Sequence, residues 1–165
     1  MYVLKMRNNA TLVCVNEKHS IKIGEPSCPV AAAERGQQVL VNSSTSFQVA
    51  DNDFTCFSIP SAALIVDVPE KISGSWYTGD VHILYKDSAF EPACSIRHAT
   101  ELATLLQDKA LTDPVLFIYS DGGPDHRVTY MSVKLATICL FIELDLDYLC
   151  AARTAPIHSF CNPAE

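Results

Sequence analysis

The chain has no apolar run long enough to cross a bilayer, no Cys-x-x-Cys pair, no internal repeat and no low-complexity tract. It is also poor in positive charge. Its 165 residues carry 12 Lys and Arg against 19 Asp and Glu, a net charge of −7. That balance argues against strong nucleic-acid binding by this segment alone, because phosphate contacts need a surplus of Lys and Arg. Met1 to Val15 contains Lys5 and Arg7 but lacks the apolar core and small-residue cleavage site of a secretory signal. These absences together predict an intracellular protein, nuclear or cytoplasmic, that does not enter a membrane.

What is present is enough for a core. Hydrophobic residues make up 48% of the chain and charged ones 19%, which excludes a disordered segment. The length fits one domain, spanning 1–165. The seven cysteines, at 14, 28, 56, 94, 139, 150 and 161, are odd in number and scattered, several inside apolar patterns. They read as small buried hydrophobes in a reducing compartment rather than a disulfide framework. A zinc site built on Cys150, His158 and Cys161 is the sharper alternative, but those residues lack the usual ligand spacing.

Ala10–Val15 predicts a first strand, and Ser20–Ile23 a short second one that ends at the breakers Gly24, Pro26 and Pro29. Gln38–Val41 predicts a third strand. Residues 42–80 read as a loop and hairpin insertion: polar Asn42–Asp53 leads to the apolar run Ala62–Val68, which pairs across Gly74 and Gly79 with Val81–Tyr85 just beyond it. Ser95 suits the N-cap of a helix that places Ile96, Ala99, Leu102, Ala103 and Leu106 on one face. Val115–Tyr119 is a strand suited to burial on both faces. Val128, Met131, Leu135, Ile138 and Ile142 then recur at helical spacing, and Leu146–Ala152 is a last strand. This order predicts an α/β fold: a mixed sheet flanked by helices, with the strands ending at Tyr119 and Ala152 parallel to the first.

Asp121 follows a buried strand and precedes Gly122-Gly123-Pro124, and functional groups in open α/β sheets gather at the carboxyl ends of strands. Singly, Asp121 is equally a turn residue making an Asx-type hydrogen bond. Glu165, after Asn162-Pro163, sits in the first turn of a helix by pattern, and Asn16 and Glu17 close the first strand. Brought to one end of a sheet, carboxylates at these three places repel unless a cation lies between them. Oxygen ligands favour Mg²⁺ or Mn²⁺ over Zn²⁺, and two such ions can drive in-line phosphoryl displacement. Asp125 and His126 could add a local metal cluster with Asp121, but read more simply as the start of the next helix. Gly122-Gly123 is a weak phosphate-binding signal, Lys134 and Arg153 are solvated positives, and Trp76 reads as a loop anchor.

Ser120-Asp121-Gly122-Gly123-Pro124-Asp125-His126 resembles the second-aspartate motif of DDE transposases and retroviral-type integrases. Asn162-Pro163-Ala164-Glu165 resembles their Asn-Pro-x-Glu, which carries the third acid at a helix start, and Val15-Asn16-Glu17-Lys18 resembles a first-acid segment. The resemblance implies an RNase H-like fold, DNA as partner, Mg²⁺ or Mn²⁺ as cofactor, and Asp121, Glu165 and Glu17 as catalytic metal ligands. It also implies that the helix opened by Glu165 is missing beyond that residue, which predicts poor solubility for this chain. The sequence departs from the pattern at the first acid, where Asn16 stands, with Glu17 on the opposite side of a regular strand. Asp67, at the end of an apolar strand, is the second candidate for that position. The departures favour a transposon-derived domain with weakened or lost catalysis, or a non-enzymatic remnant used for interaction.

Overall fold

A computed structural model of the chain describes residues 2–17, 21–22, 57–87, 93–155 and 158–164. In chain order these form helix α1 (Tyr2–Met6), strands β1 (Ala10–Glu17), β2 (Ile21–Lys22), β3 (Phe57–Val66) and β4 (Gly79–Asp87), helix α2 (Ser95–Asp108), strand β5 (Val115–Ser120), helix α3 (Met131–Glu143) and strand β6 (Tyr148–Arg153). Short 3₁₀ turns occupy Pro124–His126 and Ser159–Cys161. The expected strand Gln38–Val41, the loop Asn42–Asp53 and the breakers at 24–29 lie outside the described residues, as does Glu165.

All six strands join one mixed sheet. β1 lies at its centre, antiparallel to β3 and parallel to β5, and β5 pairs in parallel with β6. β4 runs antiparallel along the far side of β3. The two-residue β2 pairs with Ser58 and Phe57, beyond the stretch of β3 that β1 covers. Pro60 falls between the β1-paired and β2-paired stretches, a position where a strand tolerates a missing N–H. The hairpin foreseen from the two apolar runs is therefore β3–β4. The parallel set β1, β5 and β6 matches the expected crossovers.

The alternation of β1 divides the core. Leu12 and Cys14 pack with Ala62, Leu64, Val115 and Phe117, beneath Val3 of α1 and Ala164. Val13 packs on the other face with Ala63 and Leu116, beneath Leu102, Ala103 and Leu106 of α2 and Leu140 of α3. β1 is buried on both sides, which is why it reads as an unbroken apolar run.

Two helix details differ from expectation. Cys94, whose backbone is extended, holds the N-cap of α2 without a side-chain bond; Ser95 is the first helical residue, and its Oγ donates to Ser132 Oγ at 3.4 Å. On α3, Val133, Ala136 and Leu140 meet the core, whereas Met131, Leu135, Ile138 and Ile142 are 67, 56, 53 and 69% exposed. The helix carries two apolar stripes, and periodicity alone cannot say which one meets the sheet.

Candidate functional site

At the carboxyl end of β1 and β5 the register pairs Val15 with Ser120, so Asn16 and Asp121 are the next residues along two neighbouring strands. Asn162 joins them from the far end of the chain. Its Nδ2 donates to the carbonyl of Val15 at 2.8 Å, and its Oδ1 accepts from the N–H of Ala164 at 3.2 Å. Both asparagines are buried, as are Ser120 and Thr154. Thr154 holds the β5 terminus: its N–H donates to Ser120 O at 2.9 Å and its hydroxyl to Asp121 O at 3.0 Å. Asp121 Oδ1 accepts from Gly123 N–H at 3.0 Å, the Asx-type turn expected of an aspartate there. Gly122 follows with φ of 79°, and a Cβ at that position would lie 2.9 Å from Arg153 Cδ. Only glycine relieves both constraints.

Glu17 takes the other face of β1, with Val13 and Val15, under α2. There it meets the most buried charge of the described chain. Lys86 of β4 is fully enclosed, and its Nζ lies 3.1 Å from Glu17 Oε1, 3.5 Å from Glu101 Oε2 and 2.9 Å from His98 Nδ1. His98 Nε2 lies 3.1 Å from the same Glu17 oxygen. Nδ1 faces an ammonium, which can only donate, and Nε2 faces a carboxylate, which can only accept. Arg97 Nε donates to Glu101 Oε1 at 3.1 Å, so two cations balance two carboxylates. The hydrogen bond and the electrostatic attraction of His98, then those of the Lys86 ammonium, lower the Glu17 carboxyl to about 2 despite its partial burial. The His126 ring stacks at 4.5 Å from that of His98. Burial first, and then the neighbouring His98, push His126 down to about 4, and its Nε2 is buried without a hydrogen-bond partner.

Among the described residues, the one trio of Asp, Glu, His or Cys with ligand atoms within 4.8 Å of one another is Glu17, His98 and Asp125. A histidine in the set favours Mn²⁺ or Zn²⁺ over Mg²⁺. Both His98 nitrogens are engaged, Nδ1 with the Lys86 ammonium and Nε2 with the Glu17 carboxylate. Two members of the trio, Glu17 and His98, also contact the Lys86 ammonium. Cys150, His158 and Cys161 do not gather in this way; the Cys161 N–H simply closes a turn on His158 O at 3.0 Å.

Of the residues named from sequence, Asp121 and the Asn162 motif come to the same strand end as Asn16. Glu17 faces away from Asn16, and Asp67 lies at the opposite end of β3, its N–H bonded to Thr78 O in the hairpin loop. Asp125 joins Glu17 rather than Asp121. Trp76 anchors its loop, with Nε1 donating to Ile72 O at 3.2 Å. Lys86, His98, Glu101 and Thr154 escaped the sequence reading. His98 and Glu101 stand three apart on α2 and Arg97 and Glu101 four apart, spacings that hint at a shared polar face.

Two hollows flank these groups. The one between the sheet and α2/α3 has a volume of about 70 Å³ and reaches Ser61, His98, Glu101 and His126, too small for a nucleotide. The larger, about 390 Å³, lies on the α1 face, lined by residues such as Leu12, Trp76, Phe117 and Tyr119 and by no charged side chain, so it does not suit a phosphate. No helix among the described residues is long and apolar enough to cross a membrane. No family model, curated protein or solved structure matches the chain.

Proposed function

We propose that the chain is an RNase H-like domain of the DDE transposase and integrase lineage that has lost metal-dependent cleavage and strand transfer of DNA and persists as a non-enzymatic fold. The observation that carries the reading is the bond from Asn162 to the Val15 carbonyl. It joins the Asn-Pro-Ala-Glu motif to the strand end shared with Asn16 and Asp121, where the lineage needs its acids to converge. A central first strand, antiparallel to β3 and parallel to β5 and β6, supports the fold half of the reading.

Loss of activity follows from charge. Mg²⁺ or Mn²⁺ in an ancestral site needs several anionic oxygens, and the described residues at this end supply one carboxylate, Asp121, beside the neutral amide of Asn16. Glu17 cannot substitute, because its carboxylate serves Lys86 and His98 on the opposite face. The donor set among the described residues, one carboxylate and a neutral amide, does not fit a two-metal centre. DNA remains the ancestral substrate class by resemblance, and a net charge of −7 gives this chain little hold on it.

Plasmid nicking in Mn²⁺ tests the reading. The wild-type chain leaves supercoiled plasmid intact, Asn16→Asp nicks it, and Asn16→Asp/Asp121→Ala does not. Nicking by the wild type that disappears in Asp121→Ala would overturn the loss of activity.

A further inference from the structure

We infer that the outer stripe of α3 is a self-association surface, on which a second copy of this chain packs its own α3 antiparallel about a two-fold axis. The inference does not depend on the lineage proposed above. Met131, Leu135, Ile138 and Ile142 follow one another at steps of four, three and four, the spacing of alternating a and d positions in a helix pair. A helix needs only one stripe to dock on its own sheet, and α3 does so with Val133, Ala136 and Leu140. The four outer residues expose 53 to 69% of their surface, and Phe141 beside them 36%. Together they present a continuous apolar strip of about 500 Å², as large as the biggest patch on a typical monomer.

The strip suits a copy of itself for three reasons. Under an antiparallel two-fold, Met131 layers against the partner's Ile142 and Leu135 against the partner's Ile138, so large apolar groups meet in every layer and no polar group is buried. Two such strips remove at most about 1,000 Å² from water, below the usual range of about 1,200–2,000 Å² for a specific interface, which sets a weak, concentration-dependent dimer. The chain is acidic overall, yet Met131–Glu143 carries one Lys and one Glu, so the repulsion between two copies is absent where they would touch. Lys134 flanks the strip on the Phe141 side, where its aliphatic stem covers the partner's ring while its ammonium stays in water.

Sedimentation equilibrium on the full chain between about 1 and about 100 μM tests this. The wild type is expected to pass from monomer to dimer across that range. Leu135→Glu/Ile138→Glu, at two exposed positions, is expected to weaken the association at least tenfold while leaving the far-UV circular dichroism unchanged. Tyr85→Glu, on an exposed apolar residue of β4 away from α3, is expected to dimerise like the wild type. A wild-type chain that stays monomeric throughout would overturn the inference, as would a dimer that survives the α3 substitutions or is lost in Tyr85→Glu. The wild-type measurement decides the matter even if the double variant fails to fold.

Discussion

Replacing Lys86 by methionine probes the buried ion cluster with little change in volume. The ammonium is fully enclosed and faces Glu17 at 3.1 Å and Glu101 at 3.5 Å. At an effective dielectric of about 20, one such contact is worth about 4 kcal/mol. Removing one member of a buried pair leaves the others uncompensated, at a cost of about 3–5 kcal/mol. Arg97 still neutralises Glu101, so the loss falls chiefly on Glu17 and its neighbour Asp125. For a chain of this size, thermal unfolding should then move down by about 6–20 °C. Calorimetric melts of the wild type, Lys86→Met, Glu17→Gln and the double variant give the coupling directly. Glu17→Gln should cost about 1–3 kcal/mol less in the Lys86→Met background than alone. A Lys86→Met melting point within about 2 °C of wild type, on the same scale, would refute the idea that this ammonium holds the cluster together.

The same cluster sets the acid sensitivity. Glu17 is lowered from 4.5 to about 2, so its contribution is full above pH 4.5 and fades as pH falls towards 2. His126 is lowered from 6.5 to about 4 and stays neutral when folded. Its contribution is full above pH 6.5 and is lost between there and pH 4, the window that His126→Gln should flatten in urea melts. With Lys86 removed, His98 Nδ1 loses its donor and the trio with Glu17 and Asp125 opens, so Lys86→Ala is expected to bind Zn²⁺ by calorimetry where the wild type does not. Burial pushes the Cys14 thiol up to about 12, so in the folded chain it should resist a thiol reagent that labels the exposed Cys94, Cys139 and Cys161.

Much of the frame was legible because its signals are local. The apolar runs at Ala10, Ala62, Val81, Val115 and Leu146 each became a strand, and the order of strands and helices is enough to imply parallel crossovers. Asp121 was legible as a strand-end residue; the helix expected to start after Asn162 is not seen among the described residues, where Pro163 and Ala164 form a turn. The polar partners were not. Lys86 reads as an ordinary exposed strand residue next to Tyr85, yet Tyr85 is 71% exposed and Lys86 is enclosed. On β4 the side facing α2 carries His82, Leu84 and Lys86, while the more apolar Val81, Ile83 and Tyr85 face outward. α3 shows the same inversion, with its regularly spaced stripe turned to solvent. Period identifies an element, but only tertiary contact decides which side is the inside. The pairing of Glu17 with Lys86 and His98 spans 69 and 81 positions of sequence, and no short-range pattern encodes it.

Loss of catalysis turns on a missing negative charge at the end of β1, and titrating Mn²⁺ into Asn16→Asp against the wild type tests it most directly. Calorimetry should show saturable binding in Asn16→Asp, its loss on adding Asp121→Ala, and no saturable heat in the wild type. Saturable Mn²⁺ binding by the wild type that depends on Asp121, or a well-folded Asn16→Asp chain that takes up no Mn²⁺, would contradict it.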